Sequence, residues 1–391
     1  MRSFYTTILL LAITMAVQAQ TLRDINYRYL YNPEEPFTFQ MHPIRTNDGW
    51  TTLFKLTLRD SLADPKEYNI QWEIRTDLSD KEGKQVTADT IGTAYRVQKH
   101  GFRGQVNTAF QTGKVYLTAK VVHPGQKRAW YFYQFLAENL STNCYIQSNG
   151  QAILDAYLKK ETPFQIAGTG ASSIITYYRD PFPAAAPPFS ESQARVAKRI
   201  QADSIFQWQA GITSSLKSKG LYLVQQDTAS QNGIAFRIED DYPRLGKVES
   251  LADPLVYICT KDEFIRVKMA KGDKKAFDKI ILQITGDAER AKTLFRSYFR
   301  RVELANDYFS SYKEGWKTDR GMCFIIFGLP EQVFKFEDRE VWVYKQDDFK
   351  LNLNFTRSST LFDPDNFVLT RAKRFNELWF STIDLWRNAR F

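Results

Sequence analysis

The chain has 391 residues, which is enough for two or three domains that each bury a core of their own. Aromatic residues make up 15% of it, a content that favours packed domains over disorder. The 53 basic and 44 acidic residues leave a formal charge of +9, a surplus that is thinly spread along the sequence.

The first residues, 1–19, are predicted to be a secretory signal peptide. Arg2 forms the positively charged n-region, and Ile8–Val17 form the apolar core. Val17–Ala19 provide a small-residue cleavage site before Gln20. The apolar core is shorter than the ~20 residues of a membrane-spanning helix. We therefore expect an exported protein. Export removes genomic nucleic acid as a partner, so a basic surface would meet an envelope protein, a glycan or a wall polymer.

Residues 20–137 predict an immunoglobulin-like β-sandwich. Tyr68, Trp72 and Ile74 alternate with polar residues, as a half-buried antiparallel strand requires. Turn residues separate successive runs of this kind, which is typical of a sandwich. The predicted strands are Thr52–Leu58, Tyr68–Arg75, Thr90–Val97, Lys114–Val122 and Trp130–Leu136.

Residues 138–260 predict a second β-sandwich domain. Ser173–Tyr178 has the composition of a strand, and the proline-rich run Asp180–Pro188 that follows is incompatible with regular structure. Leu221–Gln225 and Ile234–Ile238 flank a glycine-containing turn, a pattern that predicts a hairpin.

From about residue 261 onward, in the predicted third domain of residues 261–391, the apolar residues recur every 3.6 positions, as in a helix, and no longer every two positions, as in a strand. Asp273 is predicted to cap a helix that ends at Gly286, and Asp287 to cap a longer one that reaches Phe309. Later runs predict a small antiparallel sheet, and Trp379, Ile383 and Trp386 recur at a helical spacing that favours core positions. The predicted strands are Cys323–Phe327, Glu340–Tyr344 and Lys350–Phe355. The fold class is thus mainly β with an α+β C-terminal part.

Cysteine and histidine are both scarce. The cysteines, far apart and odd in number, allow at most one disulfide and are Cys144, Cys259 and Cys323. The histidines all lie in the first domain and are His42, His100 and His123. Histidine-based triads and metal sites are therefore excluded from the C-terminal part, and we expect no cofactor or metal.

One segment between the long helix and the predicted sheet stands out. It leads into the apolar run Met322–Phe327 and reads Gly315-Trp316-Lys317-Thr318-Asp319-Arg320-Gly321. Together with Pro254–Ile258, Tyr298–Asn306 and Gly328-Leu329-Pro330, it resembles the bacterial GWxTD domain family. That resemblance implies an exported protein of a Gram-negative bacterium, periplasmic or associated with the outer membrane, with no assigned activity. Leu329 departs from the proline usual in the family.

The polar residues of the helix and of this segment predict one cluster without net charge. Arg301, Glu303 and Asn306 lie on the helix, and Asp319 and Arg320 follow. Such a cluster is either an internal network that holds the segment or a groove in which Trp316 offers its ring to a sugar or peptide. The candidate binding residues are Arg301, Glu303, Asn306, Trp316, Thr318, Asp319, Arg320, Gly328 and Pro330.

Two functions follow from these residues. The first is a non-catalytic envelope interaction or assembly protein that binds a protein or glycan through its C-terminal domain. The alternative is a cell-wall or glycan-active hydrolase that uses Glu303 and Asp319. That chemistry requires carboxyl groups ~5 to 9.5 Å apart, one of them protonated, whereas nearby arginines would keep both ionised. The sequence leaves the oligomeric state open.

Overall fold

The computed structural model of the chain describes residues 21–86, 94–98, 100–137, 142–168, 172–179, 181–191, 200–229, 232–346 and 349–391. The predicted signal peptide and the start of the predicted strand Thr90–Val97 lie outside these ranges. Within them the fold is mainly β, with helices and a small sheet at the C-terminal end, which confirms the predicted fold class. No helix in the described ranges combines the length and the apolar character needed to cross a membrane.

The first module is a sandwich of two four-stranded sheets. Their strand orders are β1-β2-β6-β5 and β4-β3-β7-β8, which is the immunoglobulin arrangement with one added edge strand. Phe54, Trp72 and Trp130 pack between the sheets. The strands are β1 (Phe37–Arg45), β2 (Gly49–Leu58), β3 (Asn69–Arg75), β4 (Lys84–Gln85), β5 (Ala94–Gln98), β6 (Gly101–Ala109), β7 (Tyr116–His123) and β8 (Arg128–Phe135).

The second module packs a three-stranded sheet, β10-β9-β12, against a five-stranded one, β11-β16-β15-β13-β14. All neighbours are antiparallel except β11 and β16. The predicted hairpin is confirmed by the pairing of β15 with β16. The strands are β9 (Cys144–Ser148), β10 (Gln151–Ala152), β11 (Tyr157–Lys159), β12 (Gln165–Gly168), β13 (Ser172–Tyr178), β14 (Ser204–Gln209), β15 (Gly220–Gln225) and β16 (Ile234–Glu239).

The C-terminal module packs helices on an antiparallel sheet of order β17-β18-β19-β20. Asp273 and Asp287 cap two of the helices, and Gly286 adopts a left-handed φ of 83°, all as predicted. The helices are α1 (Val248–Ala252), α2 (Lys261–Met269), α3 (Lys274–Thr285), α4 (Ala288–Phe309), α5 (Asp319–Phe327) and α6 (Asn376–Arg387). The strands are β17 (Gln332–Lys335), β18 (Arg339–Gln346), β19 (Phe349–Arg357) and β20 (Phe367–Leu369).

The predicted strand Cys323–Phe327 is wrong, because these residues form the second half of helix α5. Thr318 caps that helix by accepting a hydrogen bond from the Gly321 amide. Met322–Ile326 are all buried, so the helix is apolar on every side. An apolar run without periodicity does not distinguish a buried helix from a buried strand.

The C-terminal core draws on residues from outside the predicted third domain. Leu22, Tyr27 and Tyr31 at the start of the described chain belong to it, and so do residues 251–258. Trp379 and Trp386 are buried in the same core, which confirms their predicted core positions. The first segment of the chain and the last module thus form one packed unit.

The cysteines are all free thiols. Desolvation raises the pKa of Cys144 to about 11. The same effect, strengthened by the nearby Glu263 charge, raises the pKa of Cys259 to about 12. These thiols stay protonated at neutral pH and behave as small apolar side chains.

Candidate functional site

The motif segment, Gly315–Gly321, lies inside the molecule. Gly315–Lys317 form a short 3-10 helix, and Thr318 then begins α5. Trp316 is 5% exposed, and Lys317, Thr318 and Asp319 are buried as well. Of the two arrangements that the sequence left open, this burial supports the internal network over a groove in which Trp316 contacts a sugar or peptide, because the indole ring has little free surface.

Asn306 ties the motif segment to two other elements. Its side-chain oxygen accepts the Trp316 amide hydrogen at 3.1 Å, and its nitrogen donates to the Pro243 carbonyl at 2.8 Å. The Trp316 carbonyl in turn accepts a hydrogen bond from the Tyr257 hydroxyl at 2.8 Å. One buried amide thus fixes the motif segment to helix α4 and to the chain that follows β16.

Both motif glycines are required by close approach. A Cβ on Gly315 would lie 2.0 Å from the Ala305 carbonyl oxygen, and one on Gly321 would lie 1.9 Å from the Gly315 oxygen. Distances of this kind leave no room for a methyl group. The motif segment therefore packs directly against the backbone of α4.

Asp319 is locked in a buried ion pair with Arg371, just after β20. Its Oδ1 accepts a hydrogen bond from Arg371 Nη2 at 2.7 Å. Its Oδ2 accepts from Arg371 Nη1 at 3.1 Å and from the Leu369 amide at 2.7 Å. The two side chains are 6% and 1% exposed. Because both oxygens are occupied and shielded from solvent, this carboxylate is unsuited to the role of general acid or base.

Arg320 belongs to a different pair, with Glu340 on β18. Its Nη1 lies 3.3 Å from Glu340 Oε2, and its guanidinium carbon stands 4.4 Å from the ring centroid of Phe367. The Tyr31 hydroxyl donates to the other Glu340 oxygen at 2.7 Å. This group joins the motif segment to the sheet and to the first segment of the chain.

Arg301 and Glu303 contact neither of these pairs. Arg301 Nη1 donates to the Ile325 and Ile326 carbonyls at 3.1 and 3.2 Å, where it satisfies the last turn of α5. Glu303 forms a half-exposed ion pair with Arg300 at 3.1 Å. The prediction of one cluster is therefore wrong: the charges are distributed among separate partners, most of them distant in sequence.

The predicted binding turn Gly328–Pro330 is covered by the chain itself. Arg28 Nε donates to the Pro330 carbonyl at 3.0 Å, and the Tyr344 hydroxyl donates to the Gly328 carbonyl at 3.0 Å. The Asn26 side chain binds the residues just after the turn: it donates a hydrogen bond to the Glu331 carbonyl and accepts one from the Val333 amide. The turn is thus an internal docking point for residues 26–28.

A buried charge chain connects the motif segment to the second module, and sequence reasoning missed it. Arg237 on β16 lies 2.7 Å from Glu239 and 3.5 Å from Glu314, and Glu314 lies 3.0 Å from Lys317. Burial opposes ionisation of Glu314, but the Arg237 and Lys317 charges outweigh it and lower its pKa. The signal in the sequence was one arginine inside the apolar run of β16.

These contacts make the motif segment a joint among α4, the small sheet and the second module. Residues 220–388 match the family model of the GWxTD domain. The chain is a GWxTD domain-containing protein. The matched region begins at the first residue of β15, so the GWxTD domain includes the β15–β16 hairpin and the charge chain that Arg237 begins. No curated protein matches the chain.

A second candidate site is an open cavity, here called the inter-module cleft, at the edge of the first sandwich. It encloses about 510 Å³. Its walls come from β1 and β8, from residues 154–157 of the second module, and from Asp307 and Tyr308 at the end of α4 in the GWxTD domain. All three modules of the described chain contribute to it.

Asp307 is the distinctive ionisable group of the inter-module cleft. Within the described residues no hydrogen bond or ion pair engages its carboxylate. Desolvation in the recess, with the negative charge of Glu303 one turn earlier, raises its pKa to about 6. Asp155 adds to the rise, and Arg300 and Arg59 oppose it. Sequence reasoning passed over Asp307 because nothing local distinguishes it from a solvated helix residue.

Proposed function

We propose that this GWxTD domain-containing protein is a non-catalytic interaction or assembly protein of the cell envelope. It binds a protein or glycan partner through its C-terminal GWxTD domain. The main support is the state of Asp319, whose carboxylate oxygens are all engaged by Arg371 and Leu369 away from solvent. The charges of the motif segment hold the domain in shape, and its outer surfaces are left for contact.

The hydrolase alternative draws no support from the two carboxylates on which it depends. Glu303 is paired with Arg300 at the surface, and Asp319 is paired with Arg371 in the interior. A glycosidase needs two carboxyl groups that face one substrate from opposite sides. These two lie in different surroundings, one solvated and one enclosed.

Incubation of the mature chain with peptidoglycan and with a panel of oligosaccharides separates the two functions. The expected result is no turnover by the wild type. Turnover that disappears in Glu303→Gln or Asp319→Asn would overturn the proposal. Glu303→Gln is the decisive variant, because its half-exposed position tolerates the change while Asp319→Asn disturbs a buried pair.

Partner binding is tested by site-specific photo-crosslinking in envelope preparations. Met269 and Phe380 are exposed apolar residues of the GWxTD domain, at 70% and 55%, and Leu62 in the first module is an exposed control. We expect a discrete crosslinked product from at least one GWxTD position and none from Leu62. A pattern that is the same at all three positions, or no product at all, contradicts the proposal.

Location in the envelope is a further part of the proposal. Cell fractionation together with N-terminal sequencing is expected to recover a chain that begins at Gln20 in the periplasmic or outer-membrane fraction. Recovery of a chain that begins at Met1 in the cytoplasmic fraction contradicts it.

A further inference from the structure

The inter-module cleft has the size of a small-ligand site. Its volume of about 510 Å³ falls within the ~300 to 1,000 Å³ that is usual for such pockets. It lies where the first module, the second module and the GWxTD domain meet, which is a common position for ligand sites. The cleft is distinct from the motif segment, which is packed solid.

Aromatic side chains form much of its wall. Phe39 on β1 and Phe132 on β8 stand with ring centroids 4.7 Å apart, and Tyr29 lies 5.8 Å from Phe132. Tyr157 of the second module and Tyr308 of the GWxTD domain line the cavity as well. All five are only half-buried, so part of each ring remains open to the cavity.

Polar groups of both signs lie among these rings. Gln40 donates to Asp155 at 2.9 Å, and Lys55 lies 3.8 Å from the same carboxylate. Arg59 lies beside the Tyr308 hydroxyl at 3.4 Å, and Asp307 adds an acceptor with no partner among the described residues. A third carboxylate in the lining, Glu35, is paired with Arg128 at 2.7 Å, so the two cations and the two remaining carboxylates leave the cleft without a net positive charge.

We infer that the inter-module cleft binds a neutral oligosaccharide, an inference that rests on the proposed function and names its ligand. Sugar rings present C–H faces that pack on aromatic side chains, and their hydroxyl groups both donate and accept hydrogen bonds. Asp307 accepts from such a hydroxyl group, and Arg59 donates to another. A polyanion finds no net positive charge here, and a purely apolar ligand leaves these polar groups desolvated without partners.

The test is calorimetric titration of the mature chain, residues 20–391, with chitotetraose, with maltotetraose and with an uncharged tetrapeptide. At least one tetrasaccharide is expected to bind. Asp307→Ala, which removes the acceptor, is expected to weaken that binding about fivefold, the effect of one lost hydrogen bond. Thr38→Trp places a large side chain in the cleft from an exposed position on β1 and is expected to abolish binding.

The matched control is Glu289→Gln, which changes an exposed carboxylate at the other end of the same helix and is expected to leave binding unchanged. Circular dichroism verifies that each variant is folded. The inference is overturned if neither tetrasaccharide binds, if the tetrapeptide binds more tightly, or if Thr38→Trp has no effect. Those results leave the proposed function standing, because crosslinking at Met269 and Phe380 probes other surfaces of the GWxTD domain.

Discussion

The motif segment and the inter-module cleft both bring carboxylates and cations together, and they treat them in opposite ways. Asp319 is enclosed, and each of its oxygens receives a hydrogen bond. Asp307 lies 12 positions earlier in the sequence and keeps an exposed surface, but the walls of the cleft partly desolvate its carboxyl group and raise its pKa to about 6. The carboxylate of the motif residue Asp319 is therefore engaged by hydrogen bonds within the fold, whereas that of Asp307 remains available to a ligand.

The contrast has a physical origin. An ion pair that excludes water is stable only when further hydrogen bonds satisfy both partners, so such pairs accumulate where segments must be held in one arrangement. A ligand site needs groups whose hydrogen-bonding capacity is unfilled. A motif that is rich in charge is thus as informative about internal joints as about binding surfaces.

The largest effect is expected when the acidic partner of the buried Asp319–Arg371 ion pair is removed. Asp319→Ala leaves the Arg371 guanidinium buried without its counter-ion, and the expected loss is about 3 to 5 kcal/mol of the free energy of unfolding. Urea denaturation measures it. Asp338→Ala removes an exposed ion pair with Arg339 and is expected to change stability by less than about 0.5 kcal/mol. Equal losses in the two variants would show that the motif segment is not a joint.

The packing of the motif segment offers a milder test. Gly315→Ala forces a methyl group against the Ala305 carbonyl and is expected to cost about 1 to 3 kcal/mol through displacement of the backbone. Gly125→Ala is the control, because the nearest atom to its new Cβ is 3.4 Å away. Thermal unfolding of both variants gives the comparison, and a Gly315→Ala protein as stable as the control would contradict the close approach.

The ion pair between Glu263 and Arg387 within the GWxTD domain should lose its contribution to stability at low pH. The hydrogen bond from Arg387 lowers the pKa of Glu263 to about 2, and two bonds of 2.7 and 2.8 Å join the side chains. A lowered folded-state pKa gives stability that is present above the unfolded value near 4.3 and is lost as the pH falls toward 2. After allowance for solvent screening, the wild type should lose about 1 kcal/mol more than Glu263→Gln over that range. Denaturation curves at pH 5 and pH 2.5 test this, and parallel losses would rule it out.

The smallest effect concerns Asp307 itself. A ¹³C NMR titration should give its carboxyl a midpoint near 6, and Glu303→Gln should lower that midpoint because a like charge is removed. With a raised folded-state pKa, the unfolded chain releases this proton first, so stability falls as the pH rises from about 4 to about 6. Asp307→Asn should abolish that contribution. A midpoint near 4 would make Asp307 an ordinary surface residue.

Local signals in the sequence predicted much of the architecture. The capping residues Asp273 and Asp287 and the left-handed Gly286 fixed helix boundaries, and alternation around Trp72 fixed a strand. Strands β1 and β6 escaped prediction. The first contains Pro43, which suits an edge strand but obscures the pattern, and the second contains glycine.

The candidate site was less predictable because its partners are distant in sequence. Arg371 follows Asp319 by 52 positions, and Glu340 lies on a strand that meets Arg320 only in the folded state. The sequence allowed an internal network around the motif segment as one of two arrangements, but it placed Asp319 and Arg320 in one cluster with residues of helix α4, whereas their partners are Arg371 and Glu340. Nothing in the spacing of residues could identify Arg371 as the counter-ion.

The contact between Tyr31 and Glu340 spans 309 positions. Because translation delivers the early residues long before β17 and β18, the last core must wait for nearly the whole polypeptide, and contacts of such long range form slowly. A recombinant fragment limited to residues 220–388 would lack Leu22, Tyr27 and Tyr31 and would expose the apolar surface that they cover, inviting aggregation. The core of the GWxTD domain is thus completed by residues that leave the ribosome long before that domain is made.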